Sequence, residues 1–208
     1  GFVVTAHLGN WELLGGYLGQ KYRGSALAQK LYDPRFDEIV NRFRREKLGA
    51  TRMIMRGRAL KGMLEALRDN QLILVLCDQD VRQDAGVFVP FFGKPAWTQS
   101  GVARIARKTG AALIPAFLVQ GEDGRFELHM EKEVEVPDTG DPEKDVEETI
   151  RRYTEVIESY VRTYPDQWVW MHERWNTRPQ GEYPAAMESA AVDRMARTDQ
   201  VFSDQQTQ

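Results

Sequence analysis

The chain alternates short apolar runs with longer stretches in which apolar residues recur every three or four positions. Strands repeat every 2 residues and helices every 3.6, so the two patterns predict strands and amphipathic helices respectively. Phe2–Ala6 reads as a buried strand. Asn10 is a predicted N-cap, with Trp11, Leu14 and Leu18 at helical spacing behind it. Gly15-Gly16 inside that helix costs about 1 kcal/mol per glycine relative to alanine, so close packing is expected there. Ser25–Leu31 predicts a second strand, ended by Asp33-Pro34. Phe36, Ile39, Val40, Phe43 and Leu48 predict a helix with an apolar stripe, stopped at Gly49.

Arg52–Met55 predicts a short strand, Arg58–Arg68 a helix, and Leu72–Cys77 another strand. Because that last run is continuously apolar, it is expected at the centre of a sheet, covered on both faces. Asp78–Ala96 reads as a long loop, oddly apolar at V-F-V-P-F-F. Thr98 is expected to cap a helix running to Lys108 and closed by Gly110, followed by strands at Leu113–Val119 and Phe126–Val136. Asp141–Tyr164 predicts a long amphipathic helix with Val146, Ile150, Tyr153, Ile157 and Val161 on one face. This order predicts an α/β fold: a mixed, largely parallel central sheet flanked by helices.

Composition narrows the picture. With 208 residues, 42% hydrophobic and 28% charged, the chain has ordinary globular values, which exclude wholesale disorder. Its single cysteine, Cys77, excludes a disulfide framework and any multi-cysteine zinc site. The longest aliphatic run, Leu72–Cys77, falls far short of the ~18 residues of a membrane span. The chain opens at Gly1 on a strand already under way, and an upstream piece is expected. Residues 1–182 read as one domain and 183–208 as a flexible acidic tail. From Gly181 onward, five acidic residues face two basic ones, so the tail accounts for the whole net charge of −3. Within the neutral body, Arg42–Lys61 carries eight Lys or Arg against Glu46 alone, a segregation that can steer an anionic partner.

Three stretches hold candidate chemistry. In T-A-H-L-G-N-W-E, His7 ends a strand and Glu12 lies in the first helical turn. In one regular helix that spacing would separate the side chains by about 140°. With Gly9-Asn10 turning the chain they can meet, and a carboxylate on one imidazole nitrogen leaves the other free as a general base. The same pair also fits a purely structural contact. In C-D-Q-D, Asp78 and Asp80 stand at the mouth of the buried strand, where α/β sheets gather ligands. They can bind a metal, orient a hydroxyl or pair with the basic segment. Near the end, Q-W-V-W-M-H-E-R-W-N-T-R-P groups Trp168, Trp170 and Trp175 with Arg174 and Arg178, suited to packing, base stacking or a membrane surface. No G-x-S-x-G elbow, H-E-x-x-H pair or phosphate loop is present.

Together, T-A-H-L-G-N-W-E, D-Q-D with V-F-V-P-F-F-G-K-P-A, and W-V-W-M-H-E-R-W-N-T-R-P-Q-G resemble the bacterial lipid A biosynthesis acyltransferases. These belong to the lysophospholipid acyltransferase superfamily. The resemblance covers residues 1–182 and implies a glycerolipid acyltransferase-like fold. It implies O-acyl transfer from an acyl thioester, carried by acyl carrier protein or CoA, to a hydroxyl of a lipid A precursor. His7 would be the base and Glu12 its orienting partner, with neither metal nor cofactor. Substrate contacts are expected at Lys30, Arg42, Arg45, Arg56, Arg58, Asp78, Asp80 and Arg174, and an acyl-channel wall at Val87, Phe88, Phe91 and Phe92. Lys30 stands where the family tends to have an arginine, a point charge in place of a bidentate fork. Acyl carrier protein, an anionic glycolipid and a membrane surface are the implied partners, and no nucleic acid. The implied location is the cytoplasmic face of the bacterial inner membrane, with a membrane helix upstream. Acylation of another glycolipid such as a mannosylated phosphoinositide, a catalytically silent lipid-binding homologue, and a thioesterase are the other readings.

Overall fold

A computed structural model describes residues 1–28, 32–46, 50–55, 59–81 and 86–179. Gly1–Thr177 form one compact unit. The expected acidic tail, 183–208, lies outside the described residues. The strands are β1 (Phe2–Thr5), β2 (Gly24–Ala28), β3 (Ala50–Met55), β4 (Leu72–Leu76), β5 (Gly86–Phe91), β6 (Lys94–Gln99), β7 (Leu113–Gln120) and β8 (Phe126–Met130). The helices are α1 (Trp11–Lys21), α2 (Pro34–Glu46), α3 (Ala59–Arg68), α4 (Gly101–Thr109) and α5 (Pro142–Thr163).

Six strands form one sheet in the order β3-β2-β4-β1-β7-β8, parallel throughout except for β8, which runs antiparallel to β7. Strand β1 is buried along its whole length. Its side chains alternate between two cores. Phe2 and Val4 join α3, α4 and α5 residues, whereas Val3 packs with Leu14 and Leu18 of α1 on the other face. This double covering explains the apolar runs, since each large aliphatic side chain buried is worth about 1.5–3 kcal/mol. Asn10 caps α1 by accepting the Leu13 N–H at 2.9 Å, and the close approach foreseen at Gly15 is to Leu74. The predicted face of α5 is the buried one.

Three expectations are corrected. The stretch read as a loop contains an antiparallel hairpin, β5–β6, closed at Phe92-Gly93 with both φ positive (52° and 73°). Two left-handed residues suit the twist of a two-residue hairpin, but phenylalanine at the first hides the usual Asn-Gly signal. Glu158 of α5 accepts the Phe92 N–H, and the Arg162 guanidinium sits 4.5 Å from its ring. Thr98 lies inside β6, and the N-cap position of α4 falls at Ser100. The apolar stripe of α2 is not core: Phe36, Ile39 and Phe43 are all more than half exposed, and among the described residues α2 packs mainly beside the edge strand β3. Leu48 and Gly49 lie outside the described residues. No helix among the described residues is long and apolar enough to cross a membrane.

Candidate active site

Strands β1 and β4 are parallel neighbours with Thr5 opposite Leu76. Two residues further along each strand bring His7 and Asp78 side by side. Asp78 accepts from His7 Nδ1 at 2.8 Å, from the His7 backbone N–H at 2.9 Å and from Trp168 Nε1 at 2.9 Å. The carboxylate side chain is 1% exposed and the imidazole 18%, so the pair is anchored inside and open only at the histidine. Burial alone would push the Asp78 carboxyl up. The hydrogen bonds and charge of His7, with the bond from Trp168, outweigh it and hold Asp78 below the usual carboxylate value. A carboxylate facing Nδ1 requires a proton on that nitrogen, which leaves Nε2 as an acceptor.

The backbone around His7 is tied on two sides. Gly9 adopts φ +60°, and a Cβ there would lie 2.1 Å from the Leu118 carbonyl oxygen of β7. Asn10 N–H donates to that same carbonyl at 2.8 Å. The returning segment after α5 pairs with the loop: Leu8 bridges Trp168, Val169 N–H donates to the His7 carbonyl and Gly9 N–H to that of Gln167.

Glu12 takes a different position from the one expected. It is ion-paired with Arg44 of α2, whose Nε donates to it at 3.1 Å, and it is 42% exposed. The reason is register: the sheet fixes Asp78 beside His7, whereas the turn at Gly9 carries Glu12 up into α1 toward α2. Asp80 accepts from the backbone N–H and the hydroxyl of Thr177, both at 2.8 Å, and so ties down the closing segment. Burial pushes the Asp80 carboxyl up despite those bonds.

Arg174, expected to meet substrate, is 1% exposed. It donates to the Trp97 carbonyl at 2.8 Å and to the Thr98 hydroxyl at 2.5 Å, lies 5.2 Å from the Phe91 ring, and leaves Nε buried without a partner among the described residues. It braces the hairpin from behind the site. Phe91 is likewise fully buried, between Trp168 and Trp175, and packs instead of lining an open wall; Val87, Phe88 and Phe92 keep partial exposure. Arg42 is exposed on α2. Lys30, Arg56, Arg58 and the side chain of Arg45 lie outside the described residues.

Gln79 and His172 complete the site and were not among the expected residues. Gln79 Nε2 lies 3.3 Å from His7 Nε2 and 2.9 Å from His172 Nε2, and the two imidazole rings meet edge-on at 4.7 Å. Burial, with the neighbouring His7, lowers the His172 pKa; Asp78 opposes this. The D-Q-D spelling carried the signal for Gln79. His172 lies inside the W-V-W-M-H-E-R-W stretch, where the tryptophans and arginines drew the reading and the histidine did not.

The model of the bacterial lipid A biosynthesis acyltransferases matches residues 2–177. The chain belongs to this family. Its relatives within and around the family include the lipid A biosynthesis lauroyltransferase of Escherichia coli, 31% identical over 65% of this chain and 44% of the relative. A lipid A biosynthesis acyltransferase of Haemophilus influenzae is 30% identical over 73% of the chain and 47% of its own length. A phosphatidylinositol mannoside acyltransferase of Mycolicibacterium smegmatis is 26% identical over 83% and 56%. The chain thus spans about half the length of the curated family relatives it matches.

Proposed function

We propose that the protein moves a fatty acyl chain from an acyl thioester, carried by acyl carrier protein, to a hydroxyl of a lipid A precursor. The observation that carries this reading is the partly exposed imidazole held through Nδ1 by a buried carboxylate, which leaves Nε2 free of it. The acceptor O–H proton passes to His7 Nε2 as the oxygen forms a bond to the thioester carbon. Collapse of the tetrahedral intermediate breaks the C–S bond, and the leaving thiolate takes the proton back from His7. Asp78 keeps the ring in the productive tautomer and stabilises the imidazolium between the two transfers. Burial pushes the Cys77 thiol up to about 12, which favours direct transfer over an acyl-cysteine. The family and its lipid acceptors favour action at a membrane surface, which we place at the cytoplasmic face of the inner membrane. The mannoside acyltransferase likeness supports a second acceptor class, a mannosylated phosphoinositide, with the same chemistry.

Transfer from acyl carrier protein to lipid acceptor, measured on the full chain, tests the assignment. His7→Ala is expected to abolish turnover, and Asp78→Asn to lower kcat by about 10³–10⁴-fold through the wrong tautomer. Glu12→Gln is expected to cost about tenfold or less, because its carboxylate is bonded elsewhere. If Glu12→Gln matches His7→Ala while Asp78→Asn stays active, the orienting role belongs to Glu12 and this reading falls.

A further inference from the structure

Acyl transfer through His7 needs a donor for the negative charge that builds on the thioester oxygen, and that donor must stand beside the base nitrogen. One side-chain amide does so. Gln79 Nε2 is 3.3 Å from His7 Nε2 and 2.9 Å from His172 Nε2. The histidine tautomers fix which way the amide faces. With Asp78 on Nδ1 of His7, Nε2 carries a lone pair, so the group facing it must be NH₂ and not the carbonyl oxygen. One N–H of Gln79 therefore points at each imidazole. The bond to His172 is short and the bond to His7 long, so the first locates the amide and the second is the one to exchange.

We propose that Gln79 is the oxyanion donor of the acyl-transfer step, and that His172 is the positioning residue that aims it. The proposal rests on His7 being the base. When the acceptor hydroxyl takes over His7 Nε2, the Gln79 N–H that pointed there is freed within about 3 Å of the reacting atoms. As the acceptor oxygen bonds to the thioester carbon, the C=O π pair moves onto oxygen and accepts that N–H. Collapse restores the C=O, expels the thiolate and returns the N–H toward His7. His172 keeps a lone pair on Nε2 for the second N–H throughout. Half-buried beside His7 and held toward its neutral form, it suits that task.

The test is kinetic and uses the full chain. Gln79→Leu removes the donor at similar size. The expected result is a fall in kcat of about 10²–10³-fold with donor KM changed by no more than about threefold. A phosphonate analogue of the tetrahedral intermediate, whose anionic oxygen needs the N–H, is expected to lose affinity by a similar factor. An unreactive thioether analogue of the acyl donor, which only reports binding and folding, is expected to keep its affinity. His172→Leu should lower kcat in the same pattern, and His172→Gln, which keeps an acceptor for the amide, should recover part of it. Unchanged kcat and phosphonate affinity in Gln79→Leu, beside an inactive His7→Ala, overturn the assignment of Gln79 alone. Turnover retained in His7→Ala overturns the base and the oxyanion donor with it.

Discussion

Two carboxylates were candidates to orient His7, and the regions that hold them are built differently. Toward β4 lies Asp78, buried, accepting three hydrogen bonds, its place set by the register of adjacent parallel strands. Toward α1 and α2 lies Glu12, close in sequence, partly exposed and paired with an arginine from an outer helix. Nearness along the chain favoured Glu12; nearness across the sheet gave the histidine to Asp78. A backbone ladder positions side chains to a fraction of an ångström. A helix reached through a glycine turn presents its first carboxylate wherever the next element offers a partner.

The sharpest way to break this comparison, after the Asp78 and Glu12 variants, is at the turn itself. Gly9→Ala puts a methyl onto the Leu118 carbonyl at a backbone angle that L-residues avoid, and is expected to cost about 3 kcal/mol in denaturant unfolding. A cost below about 1 kcal/mol would show that the turn yields, and that the strand-end side is less rigid than described. Trp168→Phe removes one donor from buried Asp78 and is expected to cost about 1–3 kcal/mol near neutral pH. The sign of its pH dependence follows from the lowered Asp78 value. That stability is present above the ordinary 3.8 and is lost as pH falls through the folded value. With a donor gone the folded value rises toward 3.8, so acid unfolding monitored by circular dichroism should begin at a less acid pH than in the parent. On the helix side the effect is smallest. Arg44→Met breaks the ion pair with Glu12 at the cost of about 0–1 kcal/mol, screened further by salt. A loss as large as that of Trp168→Phe would mean the two sides are equally built.

What could be read from residues alone follows the same division. Strands β1 and β4 were legible as short unbroken apolar runs and helix α5 by its helical period, and the histidine was legible because it ends a strand. Asp78 was singled out by its place at a strand mouth, but its partnership with His7 depends on β4 lying next to β1, which strand order alone decides. The hairpin was hidden because a phenylalanine fills the left-handed position where asparagine would announce a turn. Helix α2 carries the periodicity of a core helix, yet Phe36, Ile39 and Phe43 stay more than half exposed, since amphipathicity reports a face and not what covers it. Arg174 was expected as a substrate contact on the family resemblance; its burial is offset by the charges of Asp78 and Asp80, hairpin carbonyl and hydroxyl oxygens and an aromatic ring.

The strap from Gln167 to Val169 has a further consequence, in time. Two of its backbone groups, the Gln167 carbonyl and the Val169 N–H, bond the loop that holds His7, so the first strand and the segment after α5 complete one another. A ribosome delivers β1 before Trp168, with the helices and sheet strands between them made in the interval. A nascent chain halted at Pro165 would carry β1–β8 and the pair His7–Asp78, yet would lack the indole that holds the carboxylate and the imidazole that aims Gln79. Closure of the loop around His7 therefore waits until the segment after α5 has been made.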